Sequence, residues 1–278
     1  MFDTVPERFR RGILLHLYKN LMPDPGSENP LILGIHGPSG QGKTYQCQKV
    51  LEEIDAHVVT ISGGELESVE AGQPAQAIRD AYKKCSQARS RSGANYAPAS
   101  LVINDIDAAV GEWGELVQYT VNRQNVFGEL MNLADAPTVV EARSVKRVPI
   151  ILTGNDFTKL YPPLVRAGRM HSFAWTPTPA ERQDIVAAIF HELSPEECDK
   201  LNWQFPDQPI AFFSHLRSQI FDDAFWHHID DVGVHEAFCQ IAAGENPRIN
   251  SRISVQMLSS MGREMEDQGR LVNHLMGQ

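Results

Sequence analysis

The chain has 278 residues, 42% of them hydrophobic and 22% charged, with a formal net charge of −10. That composition fits a water-soluble globular protein with enough chain for one large or two ordinary domains. An acidic chain repels phosphate backbones, which disfavours DNA or RNA as the main partner.

In chain order, residues 1–20 are amphipathic but have no long apolar core, and two of them are acidic. Neither a signal peptide, a membrane span nor a transit peptide is expected, no membrane partner is expected, and the cytoplasm is the expected location. Residues 6–22 read as a helix with an apolar stripe through Phe9, Ile13, Leu14 and Leu17, followed by a Pro/Gly linker over 23–30. Leu31 to Ile35 is a short buried strand. It runs into Gly37-Pro38-Ser39-Gly40-Gln41-Gly42-Lys43-Thr44, a full match to G-x-x-x-x-G-K-[ST]. Glycines at 37, 40 and 42 let backbone N–H groups curl around a polyphosphate, and a helix beginning near Thr44 aims its positive end there. In this pattern Lys43 reaches the outer phosphates and the Thr44 hydroxyl holds Mg²⁺. A nucleotide-binding protein is expected, with these eight residues as its cradle.

A second strand is expected at His57–Ile61, leading into a polar loop over 62–68, then a helix over 74–90 and a surface loop over 91–100. Leu101–Ile103 is a third strand, followed by Asn104-Asp105-Ile106-Asp107. A helix over about 118–134 and a loop over 135–147 lead to a fourth strand, 149–153, which ends at Gly154-Asn155-Asp156. Phe173–Trp175 is a fifth. Short apolar strands alternating with helices predict an α/β fold with a mainly parallel sheet. Ligands of such sheets sit beyond the carboxyl ends of the strands, where the polar groups after strands one, three and four converge. From Thr176 the character changes. Thr178-Pro179-Ala180-Glu181 and Ser194-Pro195-Glu196-Glu197 are capping boxes, and no strong strand follows, so residues 1–175 and 176–278 are expected to form an α/β domain and a small helical domain. Cys47, Cys85, Cys198 and Cys239 stand far apart without C-x-x-C spacing, which suits a reducing compartment and argues against structural zinc or a disulfide framework.

Phosphate-loop hydrolysis also needs a carboxylate near Mg²⁺, a polar sensor of the terminal phosphate and a cation for the transition state. LVINDID at 101–107, Thr153-Gly154-Asn155 and LVRAGR at 164–169 supply them. This ordered set resembles the AAA+ ATPases, whose P-loop NTPase fold is a parallel-sheet domain followed by a helical lid. The phrases GELES at 64–68, INDIDA at 103–108, QYTVN at 118–122, RVPIILTGNDF at 147–157, LYPPLVRAGRM at 160–170 and FFSHLR at 212–217 further resemble the Rubisco activases. That resemblance runs from about Pro6 to the C-terminal helices and thins after about Phe221.

The resemblance implies an ATP- and Mg²⁺-dependent ring, usually of six subunits, that remodels inhibited Rubisco and releases tight-binding sugar phosphates. By position it implies Lys43 and Thr44 on phosphate and Mg²⁺, and Asn104 and Asp105 at the metal with Asp105 as base. It further implies Asn155 as the phosphate sensor, Arg166 and Arg169 as fingers acting on a neighbouring subunit's nucleotide, and Arg217 as the lid's sensor. The loops at Gly64–Gly72 and Ala108–Leu116 would face a central pore. Two departures stand out. Asn104-Asp105 replaces the Asp-Glu of most AAA+ proteins, a change that activases share, and Gln219 stands where activases usually carry a further arginine. Asp107 is read equally as a helix cap or a catalytic helper. Trp113 is read as a pore residue, Tyr119 as core, and His227-His228 as a solvated face, since adjacent helical residues point apart. Two alternatives stay open: an AAA+ remodeller of another protein, and an ATP-gated scaffold with little hydrolysis, which Asn104 favours.

Overall fold

The computed structural model describes residues 4–24, 26–66, 72–91, 98–110, 120–245 and 253–276. The chain divides into two compact units, Val5–Thr176 and a second that contains Pro177–Gln278.

The first unit is built on a five-stranded parallel sheet. Its strands are β1 (Ile32–His36), β2 (His57–Ser62), β3 (Ala99–Asn104), β6 (Ile150–Gly154) and β7 (Met170–Ala174), in the order β2-β3-β6-β1-β7. Parallel strands covered on both faces are apolar throughout rather than alternating. That is why β1, β3 and β6 are runs of Leu, Ile and Val with almost no exposed position, whereas the edge strand β2 is largely open. Helices α1 (Glu7–Leu21), α2 (Lys43–Glu53), α3 (Gln73–Arg91), α4 (Ile106–Val110) and α5 (Thr120–Asp135) complete the unit. The stripe of α1 buries Phe9, Ile13 and Leu17, and the Phe9 ring meets Trp175 edge-on, centroids 4.8 Å apart. The segment 135–147, expected as loop, contains a small antiparallel hairpin, β4 (Val139–Val140) with β5 (Arg143–Ser144). Its turn residues Glu141 and Ala142 both adopt positive φ, the geometry of a tight two-residue hairpin turn, without the Asn-Gly or Asp-Gly that would signal it in sequence.

The second unit is helical: α6 (Pro179–Ile189), α7 (Pro195–Gln204), α8 (Ile210–Val232), α9 (Val234–Ala242) and α10 (Val255–Met276), with no strand among its described residues. Both capping boxes form in full, Thr178 with Glu181 and Ser194 with Glu197. Phe190, Leu201, Phe205, Phe213, Leu216 and Leu258 make its core, and α10 approaches so closely at Gly262 that a side chain there would strike the Phe205 ring. No helix among the described residues is long and apolar enough to cross a membrane.

Candidate nucleotide site

Register sets the site. His36 at the end of β1 lies beside Gly154 of β6 and Ala174 of β7, while Ser62 ends β2 beside Asn104 of β3. The polar groups that follow these strands therefore share one edge.

The loop after β1 is shaped by close approach. Gly37 lies so near the Trp175 carbonyl that any side chain would overlap its oxygen, and Trp175 N–H donates back to the His36 carbonyl at 2.7 Å. Gly40 and Gly42 sit at φ +73° and +72°, a region costly for residues with a Cβ. The loop is anchored from behind. Trp175 Nε1 donates to the Gln41 carbonyl at 3.0 Å, and the Gln46 side chain donates to the Gln41 and Gly42 carbonyls at 3.1 and 3.2 Å. Pro38, Ser39 and Thr44 are exposed around this turn.

Lys43 is only 6% exposed. Its ammonium donates to the Gly37 carbonyl at 2.7 Å, the Pro38 carbonyl at 2.9 Å and Asn155 Oδ1 at 3.0 Å. Burial pushes its pKa down, and the carboxylates of Asp105 and Asp107 oppose that shift. Lys43 and Asn155, 112 positions apart in sequence, are thus in direct contact.

The end of β3 is tied to β6 through Thr153. Its hydroxyl donates to Asn104 Oδ1 at 3.0 Å and accepts the Asp105 N–H at 3.3 Å. Asp105 is exposed, at φ +52°, a left-handed conformation that Asp tolerates better than most residues. Asp107 neither caps a helix nor faces solvent. It is fully buried, and Oδ2 accepts the backbone N–H groups of Asn155 at 2.9 Å and Asp156 at 2.8 Å. A side chain at Gly154 would overlap Asp107 Oδ1 and press on the Phe157 ring. Asp107 thus fixes the segment that carries Asn155. Its signal in the sequence was an acidic residue among Ile106, Ala108 and Ala109. The His36 ring, which opens the loop, stacks on Phe157 with centroids 5.1 Å apart and has Nε2 2.9 Å from Ser172 Oγ. Burial holds its pKa below the ordinary imidazole value, against the pull of Asp156.

The remaining predicted residues lie apart from this cluster. Arg166 is exposed, and Arg169 is held by Asp135 at the end of α5; among the described residues no hydrogen bond or ion pair joins either to the phosphate loop. Arg217 belongs to the helical unit. There its guanidinium grips Glu192 at 2.5 and 2.6 Å and lies 5.3 Å from the Phe221 ring centroid. Among the described residues no group of three His, Cys, Asp or Glu could hold a metal, and His228 lies 3.3 Å from the Gln240 amide oxygen. Trp113, Tyr119 and much of the two loops expected to face a pore lie outside the described residues.

Residues 33–178, more than half of the chain, match the ATPase family associated with various cellular activities, AAA. Residues 180–268 match the helical AAA domain of ribulose bisphosphate carboxylase/oxygenase activase. The chain is 46% identical over 237 residues to the ribulose bisphosphate carboxylase/oxygenase activase of an Anabaena species, covering 82% of this chain and 56% of that protein. It is 39% identical over 270 residues to the chloroplastic activase of Chlamydomonas reinhardtii, covering 94% and 65%. It is 42% identical over 234 residues to the chloroplastic activase A of Hordeum vulgare, covering 81% and 50%. The chain thus spans about half to two-thirds of the length of these relatives. A glycine-bound phosphate loop, a parallel sheet in the order β2-β3-β6-β1-β7 and a following helical unit agree with these matches: the chain belongs to the AAA family of ATPases, with a helical unit of the Rubisco activase type.

Proposed function

We propose that the protein is an ATP-hydrolysing remodeller of Rubisco, working as a ring, with six subunits the expected number, and using hydrolysis to free active sites closed around sugar phosphates. The observation that carries the hydrolytic part is the Lys43–Asn155 contact at 3.0 Å, backed by Asp107. The Rubisco part rests on the relatives, which are named as activases at 39–46% identity.

ATP with Mg²⁺ supplies the phosphoanhydride and the divalent charge. The residues present fit that group: a loop that no side chain could enter at Gly37, positive φ at Gly40 and Gly42, and a buried ammonium at its centre. In this reading Gly37–Thr44 hold the phosphates and Lys43 neutralises their charge. Thr44, Asn104 and Asp105 would hold the metal, directly or through water. Exposed Asp105 accepts the proton of the attacking water, and Asn155 orients that water against the terminal phosphate. Arg166, on the turn that carries Arg169, supplies the positive charge that a neighbouring subunit adds, and Arg217 would reach nucleotide only on releasing Glu192. Three buried free thiols suit a reducing compartment, and the cytoplasm is the proposed location.

The test is recovery of carboxylation by sugar-phosphate-inhibited Rubisco, given this protein with ATP or with a non-hydrolysable analogue. Recovery with ATP alone is expected. Normal ATPase activity without recovery would leave the motor and exclude Rubisco as its target. Asn104 favours a second reading, an ATP-gated scaffold, because an amide is a weaker metal ligand than a carboxylate. Negligible ATPase activity at concentrations that permit assembly would select it.

A further inference from the structure

The two arginines after β6 stand in different surroundings. Arg166 is exposed, whereas the Arg169 side chain is 25% exposed and fully engaged. Arg169 Nε and Nη2 grip Asp135 Oδ1 and Oδ2 at 2.7 and 2.6 Å. Nη1 donates to the Pro163 carbonyl at 2.9 Å and lies 3.3 Å from Met131 Sδ. The backbone is equally committed: the Arg169 and Met170 N–H groups both donate to the Arg166 carbonyl at 3.1 Å, and the Arg169 carbonyl accepts the Ile32 N–H at the start of β1. Leu164, inside the same turn, is fully buried.

Asp135 is the last residue of α5, where the helix dipole disfavours a carboxylate. An acid is unfavourable there unless a cation meets it, and Arg169 does so in bidentate geometry, the strongest form of the pair. The contact holds the Asp135 carboxyl below its ordinary pKa. A guanidinium bound on two sides cannot reach outward without giving up both charge-assisted bonds and the bond to Pro163.

We propose that Asp135 is a positioning residue: with Arg169 it forms a strut between α5 and the 163–169 turn, and this strut aims Arg166, the arginine that acts on a neighbouring subunit's nucleotide. The inference rests on the shared-site reading above and divides the labour between two arginines that resemblance assigns alike. Arg169 acts through Arg166 and does not touch phosphate.

The deciding experiment is a charge swap, with ATPase turnover, nucleotide affinity and thermal melting measured at assembling concentration. Arg169→Asp is expected to lower kcat about 100-fold, the cost of displacing a catalytic group by about 1 Å, with nucleotide affinity unchanged. Asp135→Arg/Arg169→Asp restores the ion pair with its signs reversed and is expected to bring kcat back within about 10-fold of the unsubstituted protein. A folded swap variant as inactive as Arg169→Asp would overturn the inference, since a direct phosphate contact cannot be restored from position 135. Where the swap does not fold, Asp135→Asn decides: lowered kcat at constant nucleotide affinity supports the strut, and unchanged kcat sinks it. Mixed assemblies of Arg166→Ala and Lys43→Ala subunits test the underlying reading separately. Regained hydrolysis is expected, because one subunit brings an intact phosphate loop and the other an intact Arg166. No regain would remove the shared site, and the inference with it.

Discussion

Replacing Asp107 should separate catalysis from binding. The fully buried carboxylate accepts two backbone N–H groups at 2.9 and 2.8 Å, both from the segment that carries Asn155. Hydrogen bonds to a charged group contribute about 1.5–3 kcal/mol each, and Asp107→Ala would leave two donors without that acceptor. Part of the loss is offset because a buried charge no longer has to be kept from water. The net cost is on the order of 3 kcal/mol, or roughly 6–12 °C in the melting of a unit this size. Asp107→Asn keeps an acceptor of similar shape and should cost about 1–2 kcal/mol. The kinetic effect should be larger than the thermal one, since a shift of Asn155 by about 1 Å costs roughly 100-fold in turnover. Nucleotide affinity should hold, because the phosphate loop is anchored separately by Trp175 and Gln46. The assays are steady-state ATPase, titration with a fluorescent nucleotide, and calorimetric melting with the transitions of the two units resolved. Wild-type kcat and melting in Asp107→Ala would refute the assignment; a loss confined to nucleotide affinity would place the defect in the loop instead.

Two further perturbations test the scaffold. His16 on α1 is buried, and burial, reinforced by the positive charge of Arg147 and by His171, pushes its pKa down to about 3. Between that value and the ordinary 6.5 the unfolded chain binds a proton that the native protein refuses. Stability from this site is therefore complete above pH 6.5 and falls by about 1.4 kcal/mol per pH unit below it. Urea unfolding of the α/β unit at pH 7.5 and 5.5 should differ by roughly 1.4 kcal/mol more in the wild type than in His16→Gln, and equal differences would refute the argument. Gly37→Ala should abolish nucleotide binding by forcing the loop off the Trp175 carbonyl; retained affinity in a dye-displacement titration would show that the loop does not need that approach.

The α/β half was legible because its signals are local. Buried parallel strands are apolar runs, and the glycine pattern at 37–44 is contiguous, so β1, β3, β6 and the loop could be read within a residue or two, whereas the edge strand β7, expected at 173–175, begins at Met170. Both capping boxes were legible for the same reason, each being complete within four residues. The β4–β5 hairpin was not, because Glu141 and Ala142 reach positive φ through context: Glu141 is pinned by Arg79 and Lys83 on α3, 62 and 58 positions away. The partners of Asp107, read from the sequence as a helix cap or catalytic helper, and of Asp135 were hidden in the same manner. A carboxylate's role depends on what it accepts, and their partners lie 48 and 34 positions further along the chain.

These long-range partners also give the unusual Asn104 a physical sense. Lys43 is a buried ammonium whose charge burial disfavours and whose nearest compensation comes from Asp105 and Asp107. An aspartate at 104 would add a third negative charge on the same edge, beside the Thr153 hydroxyl that now donates to the amide oxygen. It would deepen a field that polyphosphate has to enter and that the buried ammonium of Lys43 answers. With asparagine the hydrogen bond to Thr153 remains, the register of β3 against β6 is kept, and the site holds two carboxylates with separate tasks. Asp107 is committed to the Asn155 segment, while Asp105 stays exposed, in keeping with the metal and water roles proposed for it. The substitution thus lowers the negative charge of the edge without loosening the edge itself, which is why slow hydrolysis, rather than loss of nucleotide, is the cost to expect of it.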